Sequence, residues 1–316
     1  MNNKIRSVIV DPNVPGRLAL GEVNAPTPAT NEALVRVSAI SLNRGEIRRA
    51  STALAGWRPG WDLAGIVETP AADGSGPSQG VRVVGFLPGG AWGELVSVPT
   101  NALAEIPRTV SFAQAATLPV AGLTAYHALK KGGFLLNNSV LITGASGGVG
   151  NFAIQLARLS GAKVVAQLRQ AKYEAIVKAA GAHQVIIDED IAPAQEYGPY
   201  HLIIDSVGGN VLGKALGFLG TNGKAVVFGT TAGREVTFNA GNFYALGGAS
   251  IYGLIVFHEL KQEPASVGLK WLVKLVESGQ LRPHIDIEAP WTEIADVAQQ
   301  LVDRSFPGKA VLHLSN

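Results

Sequence analysis

The chain contains no cysteine. That absence removes disulfides, thiolate nucleophiles and every cysteine-ligated zinc centre together. Methionine occurs once, at position 1, and charged residues make up only 16% of the 316, below the roughly 25% usual for soluble domains. With 47% hydrophobic residues, the chain is neither disordered nor a charged coiled coil, and it can bury a sizeable core. Net charge is +2 and no Lys/Arg run stands out, so nothing favours nucleic acid or an anionic membrane as partner. The longest mainly apolar stretch, residues 245–257, holds three glycines and is too short to span a bilayer. Residues 1–11 show no apolar leader core. A soluble, cytoplasmic protein is the expectation.

Glycine, by contrast, is abundant at 38 residues, with 17 prolines, which implies many tight turns and close backbone approaches. The length suggests two domains. The first third reads as β: residues 33–40, 63–68, 81–86 and 94–98 are short strand-type runs separated by Pro59-Gly60, Gly74-Ser75-Gly76-Pro77 and Pro88-Gly89-Gly90, a pattern of barrels and sandwiches. The character changes near Ser111, which resembles an N-cap, and 123–130 follow a helical pattern. From Ser139 onward strands alternate with helices. Strands are expected at 139–143, 163–168, 184–187, 201–205 and 224–228, with an apolar run at 250–256. Helices are expected at 148–159, 172–180 and 211–219. This rhythm indicates a parallel sheet covered on both faces. In the helix over 148–159 the apolar stripe reads Val149, Phe152, Leu156 and Leu159, with Ile154 on its flank. A last helix over 268–278 stops at Gly279, and 309–314 read as a final strand. No internal repeat and no long linker is visible.

The most informative segment begins at Ser139. The strand Ser-Val-Leu-Ile-Thr is followed by Gly144-Ala145-Ser146-Gly147-Gly148-Val149-Gly150 and then a helix. Ala145-x-Gly147-x-x-Gly150 fits the dinucleotide fingerprint with Ala in its first place. Gly147 lets backbone approach a diphosphate, Gly150 lets the helix pack close, and the helix N-terminus offers N–H groups to phosphate. The same residues also spell G-x-S-x-G, the nucleophile elbow of an α/β-hydrolase, with Ser146 as nucleophile and Asp205 and several His downstream. Against the elbow, Gly150 would have no role and no HGGG-type oxyanion motif precedes it. An NAD site carries Asp or Glu about 20 residues after the turn. Here the segment is Gln167-Leu168-Arg169-Gln170-Ala171-Lys172-Tyr173. Arg169 can face a 2′-phosphate with its planar fork, and Lys172 can add a point charge, which favours NADPH over NADH. The plainer alternative makes both solvated surface cations.

These residues, together with Pro59-Gly60-Trp61-Asp62-Leu63-Ala64-Gly65, Leu123-Thr124-Ala125-Tyr126, Asp205-Ser206-Val207-Gly208-Gly209, Phe228-Gly229-Thr230 and Gly308-Lys309-Ala310-Val311, resemble the medium-chain dehydrogenase/reductase superfamily. The likeness is to its zinc-free quinone oxidoreductase (ζ-crystallin-like) branch and covers nearly the whole chain. The resemblance implies an α/β protein: a GroES-like, β-rich barrel catalytic domain over 1–112 and 259–316, interrupted by a doubly wound Rossmann NADPH-binding domain over 113–258, with the active cleft between them. It implies NADPH, a small-molecule quinone or enone substrate and a homodimer. Asn43 and Thr124 are the implied catalytic residues beside the nicotinamide, Asn43 also touching substrate. The implied cofactor contacts are Thr124, Ala145, Ser146, Gly147, Gly148, Val149, Gly150, Arg169, Lys172, Tyr173, Val207, Gly229, Thr230, Gly253, Leu254 and Lys309.

Zinc-binding relatives use Cys and His. Here the corresponding stretch reads Ser41-Leu42-Asn43-Arg44, and the six histidines show no paired ligand spacing. Hydride delivery to quinones or α,β-unsaturated carbonyls needs no metal, because the charge spreads onto an oxygen that an amide or hydroxyl donor can stabilise. Trp57 and Trp92 are candidates for an apolar wall facing a flat substrate, or else ordinary core. The family often carries Tyr after the position of Asn43; this chain has Ile47, Arg48 and Arg49. A serine hydrolase and a non-catalytic NADPH-binding sensor remain the alternatives.

Overall fold

The computed structural model describes residues 4–314; the first three residues of the opening segment lie outside them. The chain divides into two compact units, Met1–Leu123 with Leu260–Asn316, and Thr124–Glu259.

The first unit opens with an antiparallel hairpin. Strands β1 (Lys4–Val10) and β2 (Leu18–Asn24) pair with Lys4 opposite Asn24 and Val10 opposite Leu18. The pleat turns Ile5 and Ser7 inward and Lys4 and Arg6 outward. The sequence shows no element here, because what fixes β1 is distant. The Val8 N–H donates to the Trp92 carbonyl and the Val10 N–H to the Trp57 carbonyl, both at 2.8 Å. The four strand-type runs form β3 (Glu32–Ser41), β4 (Asp62–Thr69), β5 (Arg82–Phe86) and β6 (Leu95–Pro99), and a short β7 (Leu103–Glu105) follows. Strand β3 pairs antiparallel with both β4 and β6, and β5 lies between β4 and β7. Ser111 is the expected N-cap: its hydroxyl accepts from Gln114 N at 3.0 Å, while Gln114 reaches back to the Ser111 N–H.

The second unit is one parallel sheet. Strands β8 (Ser139–Ile142), β9 (Lys163–Leu168), β10 (Gln184–Ile187), β11 (Tyr200–Asp205), β12 (Leu219–Val227) and β13 (Ser250–Gly253) lie in the order β10-β9-β8-β11-β12-β13, every pairing parallel. Val140, Leu141 and Ile142 are fully buried, as expected of a strand covered on both faces. Chain direction across the sheet reverses between β8 and β11, the place where doubly wound sheets open a crevice beyond their carboxyl ends.

Several boundaries differ from the sequence reading, for physical reasons. The helix Gly148–Leu159 buries Gly150, Ala153, Ile154 and Ala157 beside Phe152 and Leu156, whereas Leu159 is 45% exposed. Small residues face the sheet because they let the helix come close, so a stripe drawn through the largest side chains is rotated off the buried face. Strand β12 starts at Leu219 rather than 224, passing through Asn222 in a left-handed conformation (φ 60°) with an irregular register. The apolar run over 250–256 is a strand only as far as Gly253, and Val256 already opens the helix Val256–Gln262.

The chain then returns to the first unit. The helix Ala265–Glu277 ends before Gly279, whose φ of 72° is a left-handed stop. Strand β14 (Ile285–Pro290) runs parallel to β15 (Lys309–His313), and β15 joins β3, giving the order β14-β15-β3-β4-β5-β7 with β6 also on β3. The α/β expectation of a doubly wound parallel sheet plus a second, β-rich sheet holds.

Trp92 is fully buried in the first unit's core, alongside Val8, Val35, Leu63 and Trp291. It packs; it presents no face to a ligand, so the substrate-wall expectation for this residue is corrected. Trp57 is half-buried against the same core, with the Arg49 guanidinium 5.0 Å over its ring. Trp92→Ala is expected to destabilise the fold by about 3–5 kcal/mol, the usual range for emptying a buried Trp site. A shift of the urea midpoint checks this; an unchanged midpoint would return Trp92 to the surface.

Candidate active site

The loops at the carboxyl ends of adjacent parallel strands are laced into one rim. After β8, Gly144 turns with φ 61°, and its N–H donates to the Gln167 side-chain oxygen at 3.2 Å, while Ala145 N donates to the Gln167 carbonyl at 2.9 Å. Gln167 is buried, and its amide nitrogen donates onward to the Asp188 carbonyl at 2.7 Å. On the other side, Thr143 Oγ1 donates to Asp205 Oδ1 at 2.6 Å and accepts from Ser206 N at 3.2 Å. Asp205 Oδ2 accepts from Gly208 N at 2.8 Å. Phe228 N donates to the Asp205 carbonyl at 3.0 Å and Ala232 N to the Val207 carbonyl at 2.8 Å, which ties in the loop after β12.

Two glycines show why this rim can hold a ligand. A Cβ at Gly150 would lie 2.8 Å from the Ala145 backbone, so only glycine lets helix and strand approach this closely. A Cβ at Gly147 would meet only the Gly144 carbonyl, at 3.4 Å; this residue is exposed and caps the helix Gly148–Leu159. A helix start leaves its first N–H groups without helical partners, and such a start can accept phosphate oxygens.

The structure brings Ala145, Ser146, Gly147, Gly148, Val149, Gly150, Val207, Gly229 and Thr230 to this rim. A Cβ at Gly208 would meet Thr230 Cα at 3.1 Å, and one at Gly229 would meet the Ser206 carbonyl at 2.7 Å. Leu254 N bonds the Val227 carbonyl at 2.8 Å, so Gly253 and Leu254 continue the strand ends beyond β12. Thr124 is buried near the start of the helix Leu123–Lys130. Arg169 immediately follows β9 with a side chain 47% exposed, and its Nε lies 3.9 Å from Glu189, itself 78% exposed, a weak surface pair. Lys172 Nζ sits 4.8 Å over the Tyr173 ring.

Asn43 and Lys309 lie together in the first unit, within a buried charged cluster. Asn43 opens the helix Arg44–Ala50. Its N–H donates to Glu46 Oε1 at 2.6 Å, and its amide nitrogen donates to Glu46 Oε1 at 3.0 Å and Asp62 Oδ2 at 2.7 Å. Lys309 Nζ donates to the Leu42 carbonyl at 2.8 Å and Asn43 Oδ1 at 2.5 Å, and lies 3.5 Å from Asp62 Oδ2. Glu46 Oε2 accepts from Trp61 N, and Asp62 Oδ1 from Val120 N. Two expectations change. Both amide hydrogens of Asn43 are engaged inside the protein, so it holds no donor for a substrate oxygen. Lys309 is 3% exposed with its ammonium engaged, so it organises the cluster rather than gripping nucleotide. Glu46 and Asp62 escaped the sequence reading as functional residues, although Asn43-x-x-Glu46 is a capping-box spacing that could have found the first.

Burial and the Asp62 charge push the Glu46 carboxyl well above its ordinary range, with Lys309 and Asn43 offsetting only part of this. Burial likewise raises Asp62 and lowers Lys309. The serine-hydrolase alternative fails at its acid. Asp205 is fully buried and engaged with Thr143 and Gly208; burial raises its carboxyl, and it orients no histidine.

Known proteins resemble this chain in sequence and in fold. A family model described as zinc-binding dehydrogenase matches residues 148–273. The quinone oxidoreductase of Sus scrofa is 30% identical over 309 residues, covering 93% of this chain and 92% of that protein. The 2-methylene-furan-3-one reductase of Solanum lycopersicum is 29% identical over 312 residues, 92% of this chain and 74% of that protein. Among solved structures, the quinone oxidoreductase from Coxiella burnetii superposes with a TM-score of 0.84 at 26% identity, covering 99% of this chain and 100% of that one. The chain belongs to the medium-chain dehydrogenase/reductase superfamily, which makes it an oxidoreductase. Within that superfamily it falls in the quinone oxidoreductase branch. The zinc of the family model's name finds no fitting donor set: there is no cysteine, and among the described residues no group of three or more His, Asp or Glu is placed to hold a metal ion.

The Glu46 shift has a sign that can be measured. Above its ordinary value of 4.5 the unfolded chain has released this proton while the folded chain keeps it, so this group's contribution to stability falls as pH rises. Glu46→Gln cannot lose that proton. Its stability deficit relative to the parent is expected to be larger at about pH 5 than at about pH 8, read from urea midpoints. A deficit that is the same at both pH values would show that Glu46 is ionised in the folded protein.

Proposed function

We propose that this oxidoreductase is an NADPH-dependent, zinc-independent reductase acting on quinones or α,β-unsaturated carbonyls. One observation carries the reading: the glycine turn opens where the parallel sheet reverses, and a cation, Arg169, follows the next strand where an NAD site carries an acid. Bound NADPH would supply hydride from its nicotinamide. The chain's own residues do the holding. The N–H groups at the start of the helix Gly148–Leu159 face the diphosphate, and Gly147 leaves space for its oxygens. Arg169 offers a bidentate fork to the 2′-phosphate, with Lys172 adding charge. The loops at Val207, Gly229, Thr230, Gly253 and Leu254, with Thr124, would border the nicotinamide half. Asn43 anchors the buried cluster of the first unit. Solvent supplies the proton that completes reduction. The names of the pig and tomato relatives support a quinone or activated enone as the acceptor.

A homodimer belongs to this reading. Strand β13 ends the sheet and pairs with β12 on one side, and Ile251 and Ile255 are 46% and 64% exposed beside it. A second copy adding its own β13 would cover that apolar edge. Among the described residues no helix is long and apolar enough to cross a membrane.

Arg169→Ala is expected to weaken NADPH binding by about tenfold or more while leaving NADH within about twofold. Titration calorimetry with both nucleotides decides this, and equal losses would remove the 2′-phosphate assignment. Incubation with a strong chelator is expected to leave NADPH-dependent quinone reduction unchanged; a loss restored by zinc would contradict the metal-independent mechanism.

A further inference from the structure

The rim contains a staple that no binding role yet accounts for. Thr143, the residue just past β8, is buried, and its single hydroxyl makes two bonds at once. It donates to Asp205 Oδ1 at 2.6 Å and accepts from Ser206 N at 3.2 Å. Ser206 Oγ answers with a bond to the Thr143 carbonyl at 3.3 Å. Asp205 passes the connection on through its other oxygen to Gly208 N, at 2.8 Å. Gly208 itself has φ 70°, and a Cβ there would lie 2.4 Å from the Gly233 carbonyl. Three bonds therefore join the glycine turn to the end of β11 and the loop after it, the two segments that border the reversal in strand order, and the fourth braces that second loop internally. Strand pairing alone does not require them: β8 and β11 already pair from Leu202 to Ile204.

We infer that Thr143 is a positioning residue: with Asp205 and Ser206 it fixes the width of the crevice mouth, and hence the grip of the glycine turn on a dinucleotide diphosphate. This rests on the NADPH reading above. The physical reason is preorganisation. A diphosphate bound by backbone N–H groups loses affinity when those groups must be ordered during binding. The glycines of the turn are the residues that gain most freedom once released. Asp205 is well suited to the task because its buried carboxylate, accepting from Thr143 and Gly208, has one geometry that satisfies both oxygens.

The test compares two ligands on Thr143→Val, which keeps the shape of the side chain and deletes its hydroxyl. NADPH carries the diphosphate; adenosine 2′-monophosphate carries the adenine and the 2′-phosphate with no phosphate at its 5′ position. Thr143→Val is expected to weaken NADPH by about tenfold and the monophosphate by less than about twofold, the loss of one hydrogen bond to a charged partner setting the scale. Thr143→Ser, which restores the hydroxyl, is expected to return NADPH affinity to within about twofold of the parent. Should Thr143→Val fold poorly, Ser206→Ala removes a bond from the same staple and is read in the same way. Equal weakening of both ligands, or unchanged NADPH affinity in a folded Thr143→Val, overturns the inference. Failure of the parent protein to bind NADPH at all would instead sink the function proposed above.

Discussion

The nucleotide unit depends on one close approach. The helix Gly148–Leu159 lies so near β8 that a single methyl at position 150 would collide with the Ala145 backbone at 2.8 Å. That contact sets the helix N-terminus at the carboxyl end of β8, with Gly147 at the surface, while the pairing of β8 with β11 places Thr143 beside Asp205. Gly150, Ala153 and Ala157 form the face that makes the approach possible, so the absence of large side chains is the structural device here. Dispersion and burial reward such contact only when no atom is forced out of place.

In the first unit the corresponding constraint is electrostatic. Glu46, Asp62 and Lys309 are all buried, and two carboxyls face one ammonium. Charges removed from water are tolerated when paired and hydrogen-bonded. The cluster meets this demand with Asn43, whose amide bridges both acids and the lysine, and with backbone N–H groups of Trp61 and Val120. A raised Glu46 carboxyl is the expected way to lower the remaining charge imbalance. The result ties the helix Arg44–Ala50, β4 and β15 to one point, and it explains why an asparagine read as a substrate contact is engaged by the fold.

Much of the second unit was legible in the sequence because its signals are local. The run Ser-Val-Leu-Ile, the glycine turn and the helix after it lie within 21 consecutive residues, from Ser139 to Leu159, and each boundary is written in adjacent side chains. The hairpin of β1 and β2 was not legible, since its support comes from Trp57 and Trp92. Strand β14 was missed for a similar reason: its alternating Ile285, Ile287 and Ala289 are only half-buried, and its pairing partner β15 begins well beyond it. At the site, the glycines and Arg169 stood out by type and spacing. Gln167, Thr143 and Asp205 did not stand out as rim residues, because an ordinary polar residue becomes a brace only when the fold supplies its distant partner. Lys309 was misjudged for the same reason. The resemblance implies a cofactor contact for a lysine in this short motif, and nothing local reveals that Asp62 and Asn43 await it.

That last pairing bears on how the molecule is made. Lys309 lies 267 residues from Leu42, 266 from Asn43 and 247 from Asp62, and β15 is also the strand that completes the first unit's sheet. During synthesis the whole of Thr124–Glu259 leaves the ribosome before this lysine is even polymerised. The intervening unit therefore has its full complement of strands first, whereas the flanking unit waits with two acids lacking their counter-ion. The first unit's sheet and its buried cluster are therefore completed only after the chain of the intervening unit has been made.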